Sequence, residues 1–217
     1  MPAADLRRVD APANQHPADR AAFLLSAVAS PYLILPAFIL LLVGSVASDI
    51  REAVLWAGVG GAGVVGVPLL YTVVGVRQAR LTDLHVRLRE QRKGPFVAAL
   101  VGAALSAVGL RLVGAPAPLL LGAVATVVNG LLFALITRRW KISLHPAVLA
   151  ACGVLAGGTV GPSWYLTLAA VPAVIWARVR RRRHTWAQGW VASLLAAAVT
   201  GALVAGWRAL DRAPGAG

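Results

Sequence analysis

Seven apolar stretches make up most of this chain, and ionisable side chains appear almost only at their rims. The stretches run from Phe23 to Ala47, Ala53 to Val76, Phe96 to Val113, Pro118 to Ile136, Pro146 to Val160, Trp164 to Ala177 and Gly189 to Trp207. A helix that spans a bilayer needs about 20 predominantly apolar residues. The pattern predicts an all-α fold, a polytopic transmembrane helix bundle of six to seven spans. The fifth and sixth runs are short. They reach adequate length only if extended backward to Lys141 and forward to Arg180, which sets Ser143, His145 and Arg178 on helix ends at headgroup depth.

Of the 217 residues 59% are hydrophobic, against about 45–50% in soluble domains, so lipid is the expected solvent. Eight carboxylates are present and none lies inside a long apolar run. This argues against a carboxylate proton relay and against an aspartate-rich magnesium site, so neither a metal nor a cofactor is expected. The formal net charge is +13, from nineteen Arg and two Lys. Most of these read as loop charges that set topology. The basic runs are short and interrupted by spans, which argues against nucleic-acid binding. Cys152 is the sole cysteine, allows no intrachain disulfide, and reads as a small packing residue. Residues 1–20, polar and rich in Pro, Ala and Asp, read as a flexible tail. Residues 21–212 form a single membrane domain, and 213–217 a short C-terminal tail.

Punctuation agrees with these boundaries. Gly114-Ala115-Pro116 separates the third and fourth runs and Gly161-Pro162 the fifth and sixth. Trp140, Trp164, Trp176, Trp186 and Trp207 fall near span ends, where amphipathic rings belong. Pro31 and Pro36 should kink the first span and Pro172 the sixth. Gly60, Gly63, Gly102, Gly122, Gly157 and Gly158 permit close helix approach. In the polar segment Arg77 to Gly94, Leu81, Leu84 and Leu88 recur at helical spacing, as in a short interfacial helix or an extension of the second span. Two spans separate each polar cluster from the next, so all of them land on one membrane face. By the positive-inside rule that face is cytoplasmic, in a multi-pass protein of the cell membrane.

Charge at the rim of a span is costly unless something offsets it, and a phosphate would. Cleaving a phosphate ester needs cations on the phosphoryl oxygens, a nucleophile in line, and an acid for the leaving oxygen. Two histidines can fill the last two roles without a metal. Lys141 and His145 are four apart, hence on one face if helical, and Ser143 is near enough to donate a hydrogen bond. His184 and Gln188 are also four apart, so the Gln carbonyl could hold one ring nitrogen and aim the other. Arg178 and His184 converge only if the chain turns between them. Arg180, Arg181, Arg182 and Arg183 fill that turn and read as headgroup anchors.

At these residues the chain resembles the type 2 phosphatidic acid phosphatase superfamily of integral membrane lipid phosphatases. Its third motif, Ser-Arg, five residues, His, three residues, Asp, is matched in spacing by Ala177-Arg178, His184 and Gln188. Its second, Pro-Ser-Gly-His, is met by Ile142-Ser143-Leu144-His145. Its first, Lys, six residues, Arg-Pro, is met most nearly by Arg87 and Gly94-Pro95, with Arg89, Arg92 and Lys93 as nearby substitutes. The resemblance implies that His184 attacks phosphorus, that His145 protonates the leaving alcohol, and that Arg178 with the first-motif cations holds the phosphate. The implied substrate is a membrane lipid phosphate or an isoprenoid diphosphate. Gln188 stands where the family has Asp, which would leave His184 less basic. Leu144 stands in place of a Gly and Gly94 in place of an Arg. Two other readings stay open: a catalytically weakened relative that binds lipid or acts as a scaffold, and a small transporter. Against the transporter stand the scarcity of intramembrane charge and the lack of inverted repeats.

Overall fold

A computed structural model of the chain describes residues 16–82, 91 and 93–212. Every regular element among the described residues is helical. Helices α1 (Pro17–Val28) and α2 (Pro31–Val46) come first. Helix α3 (Ile50–Gly61) then runs through a π-helical turn, Ala62–Gly66, into α4 (Val67–Arg77). Next are α5 (Lys93–Leu112), α6 (Ala117–Thr137) and α7 (Leu144–Thr159). A 3₁₀ segment, Pro162–Ala170, leads into α8 (Val171–Arg180), and α9 (Trp186–Asp211) closes the bundle.

Among the described residues four helices are long and apolar enough to cross a membrane: the continuous Ile50–Arg77, α5, α6 and α9. A fifth span exists if α1 and α2, bent by 48° at their junction, count as one. This is fewer than the six to seven expected, and prolines explain the difference. Helix α7 begins at Leu144 because extending it back to Lys141 would drive the Pro146 ring into the carbonyl of Ile142. Its 16 residues cover about 24 Å of a hydrocarbon core ~30 Å thick. The sixth run is divided between the 3₁₀ segment and α8, with Pro172 in the first turn of α8 rather than at a kink inside a long helix. Pro31 likewise opens α2 at the 48° bend, while Pro36 lies inside that helix.

Helix α1 starts at Pro17, so residues 17–20 belong to it and not to a tail. Pro at the first helical position, Asp19 in the first turn and a His16 ring that accepts from Ala18 N at 3.3 Å together start the helix.

In hydrocarbon, helices associate through close packing more than through apolar burial, which favours small residues at crossings. Helix α5 crosses the π-turn so closely that a Cβ on Gly63 or Gly102 would overlap the other's carbonyl oxygen. Ser106 Oγ donates across that crossing to Gly60 O at 3.0 Å. Helices α7 and α9 share the most extensive contact, and Arg208 Nη2 of α9 donates to Gly158 O in the last turn of α7 at 2.6 Å. Expected stops are present too. Gly114, at φ 68°, ends α5, with Ala115 N bonded to Leu110 O at 2.9 Å.

Candidate phosphate-binding site

The turn from α8 to α9 is where the sequence requires a reversal, and its hydrogen bonds supply one. Arg182 N donates to Val179 O at 2.8 Å and Arg183 N to Arg178 O at 3.0 Å, while Arg182 itself has φ 51°. These are the two bonds of a Schellman stop, with arginine in the left-handed position usually given to glycine. The reversal brings His184 back to the wall of the same cavity that Arg178 lines.

His184 precedes α9 rather than standing on it. Thr185 is the N-cap, and it forms a capping box with Gln188. Gln188 N donates to Thr185 Oγ1 and Thr185 N to Gln188 Oε1, both at 3.2 Å. Because a backbone N–H can only donate, it identifies the Gln188 atom at that position as oxygen. The same oxygen lies 3.2 Å from His184 Nδ1. Nδ1 must therefore carry the proton, which makes Nε2 the basic nitrogen of the neutral ring.

His145 stands in the first turn of α7, and Arg178 in the last turn of α8. Both are buried, at 7% and 8% exposure, as is His184 at 9%, so none of the three is a solvated interfacial group. Arg178 Nη1 donates to Ser26 Oγ at 2.6 Å and lies 3.4 Å from His145 Nε2. Guanidinium is donor only, so His145 Nε2 takes the acceptor role in this arrangement.

The motif residues do not all gather at one wall. Lys141 lies outside α7 and so shares no helix face with His145. It lines an open cleft with Arg182, Arg183, His184 and Gln188. Ser143, the N-cap position of α7, is fully buried, its hydroxyl lacks a hydrogen-bond partner among the described residues, and it lines neither cavity. Lys93 opens α5 and is exposed. Arg87, Arg89 and Arg92, with Leu84 and Leu88 of the expected interfacial helix, lie outside the described residues. Pro95 and Phe96 do reach the cavity wall.

The cavity that His145, Arg178 and His184 share has a volume of about 280 Å³ and is otherwise mostly apolar. His184 lines both this chamber and the cationic cleft.

Helix α1 was no part of the expected site, yet three of its residues hold α8. Asp19 Oδ1 pairs with Arg180 Nε at 2.8 Å, the Phe23 ring lies 4.9 Å below the Arg181 guanidinium, and Ser26 binds Arg178. Positions 19, 23 and 26 share one helix face. The available signal was Pro17 followed by Asp19, a helix start obscured by polar neighbours.

Among the described residues no three His, Cys, Asp or Glu side chains gather around a possible metal position. No family model, no curated protein and no solved structure matches the chain.

Proposed function

We propose that this protein is a metal-independent membrane phosphatase that hydrolyses a lipid phosphate or isoprenoid diphosphate through a phosphohistidine at His184. The observation that carries the reading is the bond chain from Thr185 N through Gln188 Oε1 to His184 Nδ1, which makes Nε2 the basic nitrogen of a ring whose residue lines the cavity. Phosphate binds between Arg178, on the cavity side, and Lys141 across the cleft. Nε2 forms a bond to phosphorus as the phosphorus–ester oxygen bond breaks. Protonated His145 gives its proton to the departing oxygen, which requires Nε2 of that ring to release Arg178 as the phosphate takes the guanidinium. Water then attacks the phosphohistidine, His145 recovers a proton from it, and inorganic phosphate leaves. The abundance of arginine at this end of the bundle supports a site on the cytoplasmic face of the cell membrane.

Uncharged Gln188 favours a second reading, a lipid-phosphate-binding protein that has lost most turnover. The experiment is phosphate release from a panel of lipid phosphates in EDTA, with acid-labile ³²P labelling of the protein. The phosphatase reading requires turnover by the wild type, and loss of both turnover and label in His184→Ala. Binding of lipid phosphate with no turnover on any member of the panel selects the second reading.

A further inference from the structure

We infer that the start of α2 is a second anion-binding wall of the candidate site, at which the Ser30 hydroxyl donates to an oxygen of the phosphoryl group that Arg178 holds. The inference rests on the phosphatase reading for the presence of a phosphate, and not for its hydrolysis.

Ser30 sits in the 48° bend between α1 and α2. It follows Ser26 by four residues, one helical turn, and Ser30 N still donates to Ala27 O at 3.1 Å within that turn. Both serines are buried, at 2% exposure for Ser26 and 5% for Ser30. Residues so spaced have Cβ atoms about 5–6 Å apart. Ser26 Oγ takes the 2.6 Å bond from Arg178 Nη1, so Ser30 stands one turn from the guanidinium. It also lines the cavity that His145, Arg178 and His184 share.

A hydroxyl on a membrane helix commonly turns back onto the carbonyl three or four residues earlier. Ser45, Thr126, Thr159 and Ser193 do so, at 2.7, 2.9, 2.8 and 2.9 Å. Ser30 does not. It is the N-cap residue of α2, yet its side chain makes no capping bond, and its hydroxyl has no partner among the described residues. Thr137 and Ser143 also lack side-chain partners, but their hydroxyls are sealed in protein and they line neither cavity. Ser30 differs in having a bond left to give and a cavity to give it in. A buried hydroxyl without a partner is costly, and a ligand oxygen removes that cost.

Two features make the missing partner an anion. The 16-residue α2 directs the positive end of its dipole at Ser30, a helix end suited to phosphate. The Arg178 charge lies one turn away, and among the described residues no carboxylate lines the cavity to compete for these donors.

The test is calorimetric titration of the full chain in detergent micelles with inorganic phosphate and with hexadecylphosphonate. Neither probe can be hydrolysed, so the result does not depend on turnover. Ser30→Ala should weaken binding about tenfold, as for one lost hydrogen bond to a charged group. Its melting temperature without ligand should not change, because no capping bond is removed. Ser30→Thr, which keeps the hydroxyl, should bind as the wild type does. Ser30→Asp covers the case in which the alanine variant fails to fold. Aspartate is as good an N-cap as serine, so α2 should hold, while a negative charge beside Arg178 should abolish binding. Given that dependence on Ser30, tighter binding of the phosphonate assigns the wall to a lipid headgroup, and tighter binding of inorganic phosphate assigns it to the free ion. Unchanged affinity in Ser30→Ala or Ser30→Asp would overturn the inference and leave the phosphatase reading intact. So would a loss of affinity that comes with a lower melting temperature and is not restored by threonine. A wild type that binds neither probe would overturn both, whereas Ser30-dependent binding without turnover of any lipid phosphate removes the phosphatase reading alone.

Discussion

Ser26 Oγ on α1 accepts a 2.6 Å hydrogen bond from Arg178 Nη1 on α8, across 152 residues of sequence. It ties the least conspicuous helix of the chain to the cation at the centre of the candidate site. A hydrogen bond to a charged group is worth about 1.5–3 kcal/mol. Ser26→Ala should therefore raise KM for a lipid phosphate about tenfold with a smaller effect on kcat, and Ser26→Thr should restore it. Steady-state kinetics of the two variants check this, and equal loss in both would show that α1 only needs to be packed.

Gln188 serves the α9 capping box and orients His184 through one oxygen. Glutamate has the same reach and suits the third position of a capping box. It would also place a negative charge beside the ring, stabilising its protonated form. Gln188→Glu is expected to raise kcat several-fold and to melt no lower than the wild type, whereas Gln188→Ala should lose both rate and stability. Phosphate-release assays and thermal melts in detergent check the pair.

Arg182 occupies the left-handed position of the turn that returns the chain to His184. A non-glycine residue there costs about 1–2 kcal/mol. Arg182→Gly should then melt at or above the wild-type temperature and keep most of the turnover. Arg182→Val, with a branched Cβ at positive φ, should lose stability and activity together. If the glycine variant is as inactive as the valine one, the charge of Arg182 matters more than the turn.

Gly102 faces Gly63 backbone to backbone where α5 crosses the π-turn. Adding one methyl group forces the helices apart, and overpacking of this kind costs about 1–3 kcal/mol. Gly102→Ala should lower the melting temperature in detergent by several degrees, while Gly44→Ala, whose Cβ would meet nothing nearby, should not.

Much of the bundle was legible from hydropathy. The loops at Asp49 and at Gly114-Ala115-Pro116 fall where apolar runs end, and Asp49 caps α3 through bonds of 2.8 and 2.9 Å to Arg51 N and Glu52 N. The contact between His184 and Gln188 was legible as well, although a capping box makes it and not a continuous helix. Less legible were the lengths of the fifth and sixth runs. Hydropathy averages over a window and does not register that Pro146 bars helix upstream of itself, or that the run before Pro172 would wind as 3₁₀. The site role of α1 left no mark of its own, because Ser26 is an ordinary small polar residue until a distant arginine comes to lie beside it.

What the sequence determined by itself is local: which segments are helical and apolar, where prolines and caps end them, and which cations and imidazoles stand at their rims. Those follow from backbone sterics and from the cost of exposing polar groups to lipid, both of which act over a few residues. Only the tertiary structure decided that Arg178 meets both Ser26 and His145, that Arg178, His145 and His184 line one largely apolar cavity, and that Lys141 lines a separate cleft with His184 instead. These depend on how small residues let the helices cross, a relation between segments far apart in the chain that no single stretch encodes.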